Sequence, residues 1–122
     1  MPRFDVCSND YQDWIPVDRG ILHSPSYPGP MGKYLSCQKR LYVRGQSRLR
    51  LFMLEKSMEY YHEFAVRLTK SEPNIVRRLE KNELIDMNFT KDQEETVEIE
   101  LKTNYLGGGD FLLYFQSKII YD

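Results

Sequence analysis

Few side chains in this sequence are placed to do chemistry. His23 and His62 are isolated from each other and from other metal ligands, so each is expected to be a packed or hydrogen-bonded residue. Three serines lie near a histidine or a cysteine in sequence: Ser24, Ser26 and Ser36. None of them lies in the strand–turn–helix setting of a nucleophile elbow. Gly107-Gly108-Gly109 precedes no Lys-Ser/Thr pair, so it is interpreted as a flexible turn and not as a phosphate loop. These patterns argue against catalysis.

One short motif points to a covalent modification. Asn88-Phe89-Thr90 is the only N-glycosylation sequon of the chain. In a secreted protein it predicts a surface position for Asn88, with Phe89 as its inward neighbour. An unused sequon is the alternative, and the sequence leaves both open.

Composition limits the class of protein. The 122 residues are enough for one domain, and we expect residues 1–122 to form a single unit. A net charge of −1 provides no global field for nucleic acid or an anionic membrane, and the apolar clusters are far shorter than the ~20 residues of a membrane span. No charged and then apolar leader follows Met1, so we expect any native signal peptide to have been removed.

Charge is unevenly distributed along the chain. Residues 38–80 hold ten Lys and Arg against five Asp and Glu, whereas residues 81–101 hold two Lys against seven acids. In a sandwich the two segments can face and neutralise each other. The alternative is a bipolar surface that docks a charged partner.

The apolar residues that must position any site follow a period of two, which is typical of strands. Nine tyrosines among 13% aromatic residues also favour a sheet-rich protein. Turns separate most of the alternating runs, which indicates an all-β sandwich. The runs are 14–17, 20–22, 41–43, 49–53, 64–68, 97–101 and 111–115. Residues 72–86 lack a clear period and could form a helical turn or a polar strand.

The chain resembles a CUB domain, an extracellular β-sandwich module. The resemblance rests on Cys7, then Gly20-Ile-Leu-His-Ser-Pro-Ser-Tyr-Pro, then Tyr34 and Cys37 in fixed order. It extends to Arg48–Met53 and to the closing strand Asp110–Phe115, and so covers about residues 7–116. It implies an all-β fold with two layers of antiparallel strands, a jelly-roll-like sandwich. It also implies a Cys7–Cys37 disulfide and an oxidising compartment, with free buried thiols as the alternative.

The sequence departs from the family pattern in several places. Lys39 stands where an aromatic residue is usual. The second disulfide is missing, and Tyr60 takes the place of one of its cysteines. We expect Tyr60 and Tyr61 to recover part of the lost stability by burying ring area.

Many CUB domains bind Ca²⁺ through a glutamate, an aspartate and a second aspartate in the loop before the last strand. Glu55 and Glu63 stand at the first two positions, but residues 103–106 provide no carboxylate for the third. Because Ca²⁺ needs six to eight oxygen ligands, tight calcium binding is not expected and no cofactor is predicted. Without a metal, Glu55 and Glu63 could still bind a partner's Lys or Arg directly.

The resemblance implies a non-catalytic module, secreted or part of a receptor ectodomain, that binds an extracellular protein. The predicted contact residues lie in two loops of one end of the sandwich: Glu55, Tyr60, Tyr61, Glu63, Asn104 and Tyr105. The alternative is a secreted glycan-binding module of the spermadhesin type, in which Tyr105 and Asn104 would hold a sugar.

One strand pairing is predicted from charge and from the resemblance. Arg48 and Arg50 alternate with leucines, and Glu98 and Glu100 alternate with aliphatic residues. If the two strands are antiparallel neighbours in one sheet, the arginines meet the glutamates on its outer face.

Overall fold

The protein forms a β-sandwich in a computed structural model that describes residues 1–8, 14–15, 18–59, 62–90 and 93–120, with 14–15 described by their backbone alone. Within these residues, ten strands follow one another: β1 Arg3–Asp5, β2 Trp14–Ile15, β3 Arg19–His23, β4 Ser36–Val43, β5 Ser47–Ser57, β6 Glu63–Leu68, β7 Glu72–Arg77, β8 Leu84–Phe89, β9 Glu95–Lys102 and β10 Asp110–Ile119. The described residues contain no helix of the length and hydropathy that crossing a membrane requires.

The strands form two five-stranded sheets. Sheet I has the order β1-β3-β10-β5-β8, and sheet II has the order β2-β4-β9-β6-β7. Most neighbours are antiparallel, as predicted, but β1 pairs with β3 and β2 pairs with β4 in parallel. The predicted antiparallel β-sandwich is confirmed, and the two parallel pairs lie at its edges, where the N-terminal segment joins each sheet.

The predicted alternation places one apolar face of each sheet against the other. Phe64 of sheet II and Phe111 of sheet I meet edge to face, with ring centroids 5.0 Å apart. Around them most inward residues of β4, β5, β9 and β10 are buried, among them Leu51, Ile99 and Leu113. Period-two alternation thus yields one core between two sheets.

The segment that periodicity left undecided forms two outer strands. β7 is a polar strand at the edge of sheet II, and β8 is the edge strand of sheet I. Both offer one unpaired strand edge. In the predicted early run, Trp14–Ile15 form β2, whereas Pro16 and Val17 lie outside the described residues.

The predicted pairing of Arg48 and Arg50 with Glu98 and Glu100 is wrong. Arg48 and Arg50 lie on β5 in sheet I, whereas Glu98 and Glu100 lie on β9 in sheet II. Both arginines instead meet Asp86 of β8, at 2.5 Å from Arg48 and 3.5 Å from Arg50. Alternation assigns a residue to a face of its strand and does not identify the neighbouring strand, so the register could not be read from it.

Strand direction gives the sandwich two ends. The connections after β3, β5, β7 and β9 lie at one end, here called the disulfide end because Cys37 lies there, at the start of β4. The connections after β4, β6 and β8 lie at the other, here called the far end.

Candidate functional site

A disulfide ties the N-terminal segment to sheet II. Cys7 and Cys37 are bonded across 30 residues of sequence, as predicted. Two residues further along β4, Lys39 is buried, and its ammonium donates a hydrogen bond to the Ser8 carbonyl. Its aliphatic stem takes the inward position that the family pattern gives to an aromatic ring, while its charge reaches the N-terminal segment.

Two loops at the disulfide end are joined by backbone hydrogen bonds. These loops, residues 31–35 and 103–109, are here called the platform loops. The Gly108 amide donates to the Met31 carbonyl at 2.8 Å, and the Met31 amide donates to the Gly109 carbonyl at 3.0 Å. The Tyr34 amide donates to the Asn104 carbonyl at 3.0 Å. The Thr103 hydroxyl accepts from the Leu35 amide and donates to Gly32, at 2.9 and 2.8 Å. These bonds fix the two loops relative to each other.

The three glycines of the second loop are there for steric reasons. All three have positive φ, from 64° to 86°. A Cβ on Gly107 would lie 2.9 Å from the Met31 carbonyl oxygen, and one on Gly109 would lie 2.2 Å from that of Ser57. The segment interpreted as a flexible turn is therefore a hydrogen-bonded loop in which a side chain would not fit at Gly107 or Gly109.

His62 also contacts the second platform loop. Its ring is buried, and Nε2 lies 2.8 Å from the Gly107 carbonyl oxygen. Its backbone amide donates to Glu59 within its own connection. His62 is thus a packed, hydrogen-bonded residue, as predicted, and it links the connection after β5 to the platform loops.

Large apolar side chains project from the fixed loops into solvent. Tyr34 is 75% exposed, Tyr105 59% and Leu106 51%, and these three residues are here called the tyrosine patch. Tyr34 has a φ of 52°, a conformation that is costly for a residue with a side chain and is often found at functional sites. Sequence reasoning found Tyr105 but missed Tyr34 and Leu106, because nothing in the sequence signals that their loops are joined.

The other predicted contact residues have different surroundings. Asn104 accepts a hydrogen bond from the Leu106 amide at 2.9 Å, so its side-chain oxygen shapes the turn that carries the patch. Glu63 is exposed and lies opposite Lys102, directly beside the second platform loop. Glu55 faces outward on sheet I and pairs with Lys81 at 3.2 Å. Tyr60 and Tyr61 lie outside the described residues.

Comparison with solved structures identifies the fold. The MASP-1 CUB2 domain bound to Ca²⁺ matches with a TM-score of 0.66 and 13% identity, over 86% of this chain and 97% of that one. The chain has a CUB-like fold. The CUB1-EGF-CUB2 domains of rat MASP-1 match with a TM-score of 0.58 and 14% identity, over 85% of this chain and 41% of that longer chain. No protein-family model and no curated protein matches the sequence.

The CUB-like fold raises the question of calcium, and the described residues do not fit such a site. Glu55 and Glu63 face outward from different sheets, and the Glu55 carboxylate is occupied by Lys81. Asn104 uses its oxygen within the turn. Within the described part of the chain no three His, Cys, Asp or Glu side chains converge. A cation that needs several carboxylate oxygens has no matching set of ligands here.

The far end of the CUB-like fold is built around a buried carboxylate. Glu95 accepts hydrogen bonds from the backbone amides of Lys70, Ser71 and Thr96, at 2.9–3.1 Å. Burial raises the pKa of Glu95, but the hydrogen bonds from Ser71, Thr96 and Lys70 outweigh it and leave the pKa below its usual value. This carboxylate fixes the turn between β6 and β7.

Proposed function

We propose that this chain is a non-catalytic extracellular module that binds a partner protein through the tyrosine patch. The observation that carries the proposal is the exposure of Tyr34, Tyr105 and Leu106 on loops whose backbone is already fixed. A soluble surface rarely groups large apolar side chains in this way unless they contact something.

The physical advantage of the arrangement is low entropic cost. A tyrosine ring provides a large rigid contact area with two side-chain torsions, and such rings are frequent hot spots of interfaces. Because the platform loops are joined through Thr103, Met31 and Asn104, little backbone freedom remains to be lost on binding. Glu63 would contribute at the rim, where charges affect the association rate more than the affinity.

The extracellular location is supported by the disulfide and by the fold. Disulfides persist in oxidising compartments, and Cys7–Cys37 uses both cysteines of the chain. The CUB1-EGF-CUB2 match, in which CUB domains flank another module, is consistent with a domain that works within a larger protein.

Glycan binding is the alternative that the sequence suggested, through Asn104 and Tyr105. The Asn104 oxygen is engaged with Leu106, which leaves its amide NH₂ as the group that a sugar could use. This makes a protein partner the better-supported choice, and a glycan ligand becomes an outcome of the test.

The test is a binding screen of the purified chain against a panel of extracellular ectodomains and a glycan array. A variant with Tyr34→Ala, Tyr105→Ala and Leu106→Ala is compared with wild type. The matched control removes three exposed apolar side chains outside the patch, each about half exposed, through Ile75→Ala, Leu84→Ala and Ile119→Ala. We expect the patch variant to bind its ectodomain at least about tenfold more weakly, since hot-spot residues each contribute more than about 1 kcal/mol.

Two outcomes would overturn the proposal. One is a binding partner whose affinity falls equally in the control variant. The other is binding to glycans and to none of the ectodomains, which would favour the alternative. Thermal unfolding of both variants checks that loss of binding does not reflect loss of folding.

A further inference from the structure

The sequon lies at the far end of the sandwich, away from the tyrosine patch. Asn88 is the penultimate residue of β8, the edge strand of sheet I, and it is exposed. Phe89 faces inward and packs against the core, and Thr90 is exposed. An acceptor asparagine in this position has room for a sugar in the folded protein.

The charged residue next to Asn88, Arg48, binds another side chain. Arg48 stands opposite Asn88 in the ladder of β5 and β8. Its guanidinium binds Asp86 through two hydrogen bonds of 2.8 and 2.5 Å. No hydrogen bond joins the Asn88 side chain to another residue within the ranges that the structure describes. Among the described residues, the Asn88 amide therefore has no structural partner that a glycan would have to displace.

A groove starts at the sequon and crosses the far end. Its first part is a cleft of about 400 Å³ between the sequon and Lys70, Ser71, Gln93 and Glu94. A second depression of about 410 Å³ shares Lys70, Gln93 and Glu94 with it and continues to Arg44. The exposed amide, carboxylate and ammonium groups are suitable hydrogen-bond partners for sugar hydroxyls, and Phe89 also lines the cleft.

We infer that Asn88 carries an N-linked glycan whose first sugars lie in this groove. The co-reactant is a polyprenyl-diphosphate-linked oligosaccharide of the secretory pathway. The Asn88 amide nitrogen attacks C1 of its first sugar and forms the C–N bond. The C1–O bond to the diphosphate breaks, the lipid diphosphate leaves with the electron pair, and the amide nitrogen loses one proton.

The glycan would cover the far end of the sandwich and leave the disulfide end free. A branched glycan at Asn88 stands beside the open edge of β8 and hinders another chain from pairing with it. The tyrosine patch at the disulfide end stays uncovered. The inference rests on the extracellular location in the proposed function, but not on the tyrosine patch, because it concerns the other end of the sandwich.

The experiment expresses the chain behind a signal peptide in eukaryotic cells and measures its intact mass. The secreted and the membrane-retained fractions are both analysed, so a chain that is not released is still measured. Wild type, Thr90→Ser and Asn74→Gln are expected to lose glycan mass on treatment with peptide N-glycosidase. Asn88→Gln and Thr90→Ala are expected to carry no glycan. An unmodified wild-type chain, in cells that glycosylate a reporter sequon, overturns the inference.

A second measurement tests the position of the sugars. Backbone hydrogen exchange is compared between the glycosylated chain and the same chain after enzymatic removal of the glycan. Slower exchange in residues 69–71 and 93–95, with no change in residues 103–109, supports a glycan in the groove. Equal exchange at all sites would show that the glycan projects into solvent and would overturn that part of the inference.

Discussion

At the scale of single residues, the platform depends on glycines with positive φ, of which Gly107 and Gly109 also leave no space for a Cβ. Gly109 and Gly108 have nearly the same φ, 84° and 86°, but a Cβ on Gly108 would have nothing within 4 Å. Both alanine variants therefore pay the conformational cost of about 1–2 kcal/mol, and only Gly109→Ala also forces a clash with the Ser57 carbonyl.

We expect Gly109→Ala to lower the free energy of unfolding by at least about 2 kcal/mol more than Gly108→Ala, measured by urea denaturation. Since the two share the conformational cost, the difference isolates the close contact. Equal losses would mean that the connection after β5 can move away from the platform loop and that the platform is less rigid than proposed.

A second prediction at this scale concerns the pH dependence caused by Glu95. Hydrogen bonds to the ionised carboxylate lower its pKa in the folded state. Its contribution to stability is therefore complete above the unfolded value of about 4.3 and is lost as the pH falls through the folded value. Glu95→Gln should reduce stability by about 1–3 kcal/mol at neutral pH and flatten the acid limb of a stability–pH curve.

Glu94→Gln is the matched control, because Glu94 is the neighbouring exposed carboxylate. It is expected to leave both the stability at neutral pH and the acid limb unchanged. An acid limb that is the same in wild type and Glu95→Gln would show that other carboxylates cause the acid sensitivity.

At the scale of strands, one carboxylate links three adjacent strands of sheet II, which are β4, β9 and β6. Glu98 of β9 stands opposite Arg40 of β4 on one side and Arg67 of β6 on the other. Its oxygens lie 3.6 and 3.4 Å from their guanidinium nitrogens, and its side chain is only 11% exposed. Glu98 therefore pairs with Arg40 and Arg67, and not with Arg48 and Arg50 as predicted.

A double-mutant cycle tests this assignment. Glu98→Arg places three cations side by side, and we expect a loss of about 2–3 kcal/mol in the free energy of unfolding. Adding Arg67→Glu should recover part of that loss, with a coupling of about 1 kcal/mol. Adding Arg48→Glu should recover none, because Arg48 lies in the other sheet. Rescue by Arg48→Glu would contradict the sheet order.

The strands themselves could be predicted from the sequence, and their neighbours could not. Alternation identified β4, β5, β6, β9 and β10, because one buried face leaves a period of two. The strand beside Arg48 is determined by the path of the chain across the whole domain, which no local sequence pattern predicts. Likewise, residues 72–86 show weak alternation because β7 and β8 are edge strands, and β7 is exposed along most of its length.

The site was predictable only in part, for a similar reason. Tyr105 stands out in sequence as an aromatic residue before a glycine run. Tyr34 joins it only because its backbone amide bonds to the Asn104 carbonyl across the disulfide end. Asn104 looked like a binding group, but its side chain is used to form the turn. A hydrogen bond between loops distant in sequence decided the position of Tyr34, and a hydrogen bond within the turn decided the role of the Asn104 oxygen.

At the scale of the whole molecule, the uneven charge of the sequence is used internally. Arg40 and Arg67 of the basic segment meet Glu98 of the acidic one, and Arg48 and Arg50 meet Asp86. The hydrogen bond from Arg48 is the main reason that the pKa of Asp86 lies below its usual value. Of the two alternatives, the structure supports neutralisation within the domain over a bipolar docking surface. The apolar patch, and not a charged face, is therefore the better candidate for recognition.

The last prediction is that stability does not depend on calcium. A site of micromolar affinity would add about 4 kcal/mol at millimolar calcium and raise Tm by about 15 °C. The disulfide end is instead held by the platform hydrogen bonds, by His62 on Gly107, and by the Lys56 ammonium. That ammonium binds Leu79 and Glu80 at 3.1 and 2.9 Å, and lies 5.7 Å from the centre of the Phe64 ring.

We therefore expect calorimetry to give the same Tm in calcium and in chelator, whereas Lys56→Met should lower Tm in both, because it leaves the Leu79 carbonyl without its donor. A calcium-dependent rise in Tm that disappears in Glu55→Gln or Glu63→Gln would contradict this. It would mean that these carboxylates leave their present positions to surround an ion, and that the platform is assembled by metal as well as by its own backbone.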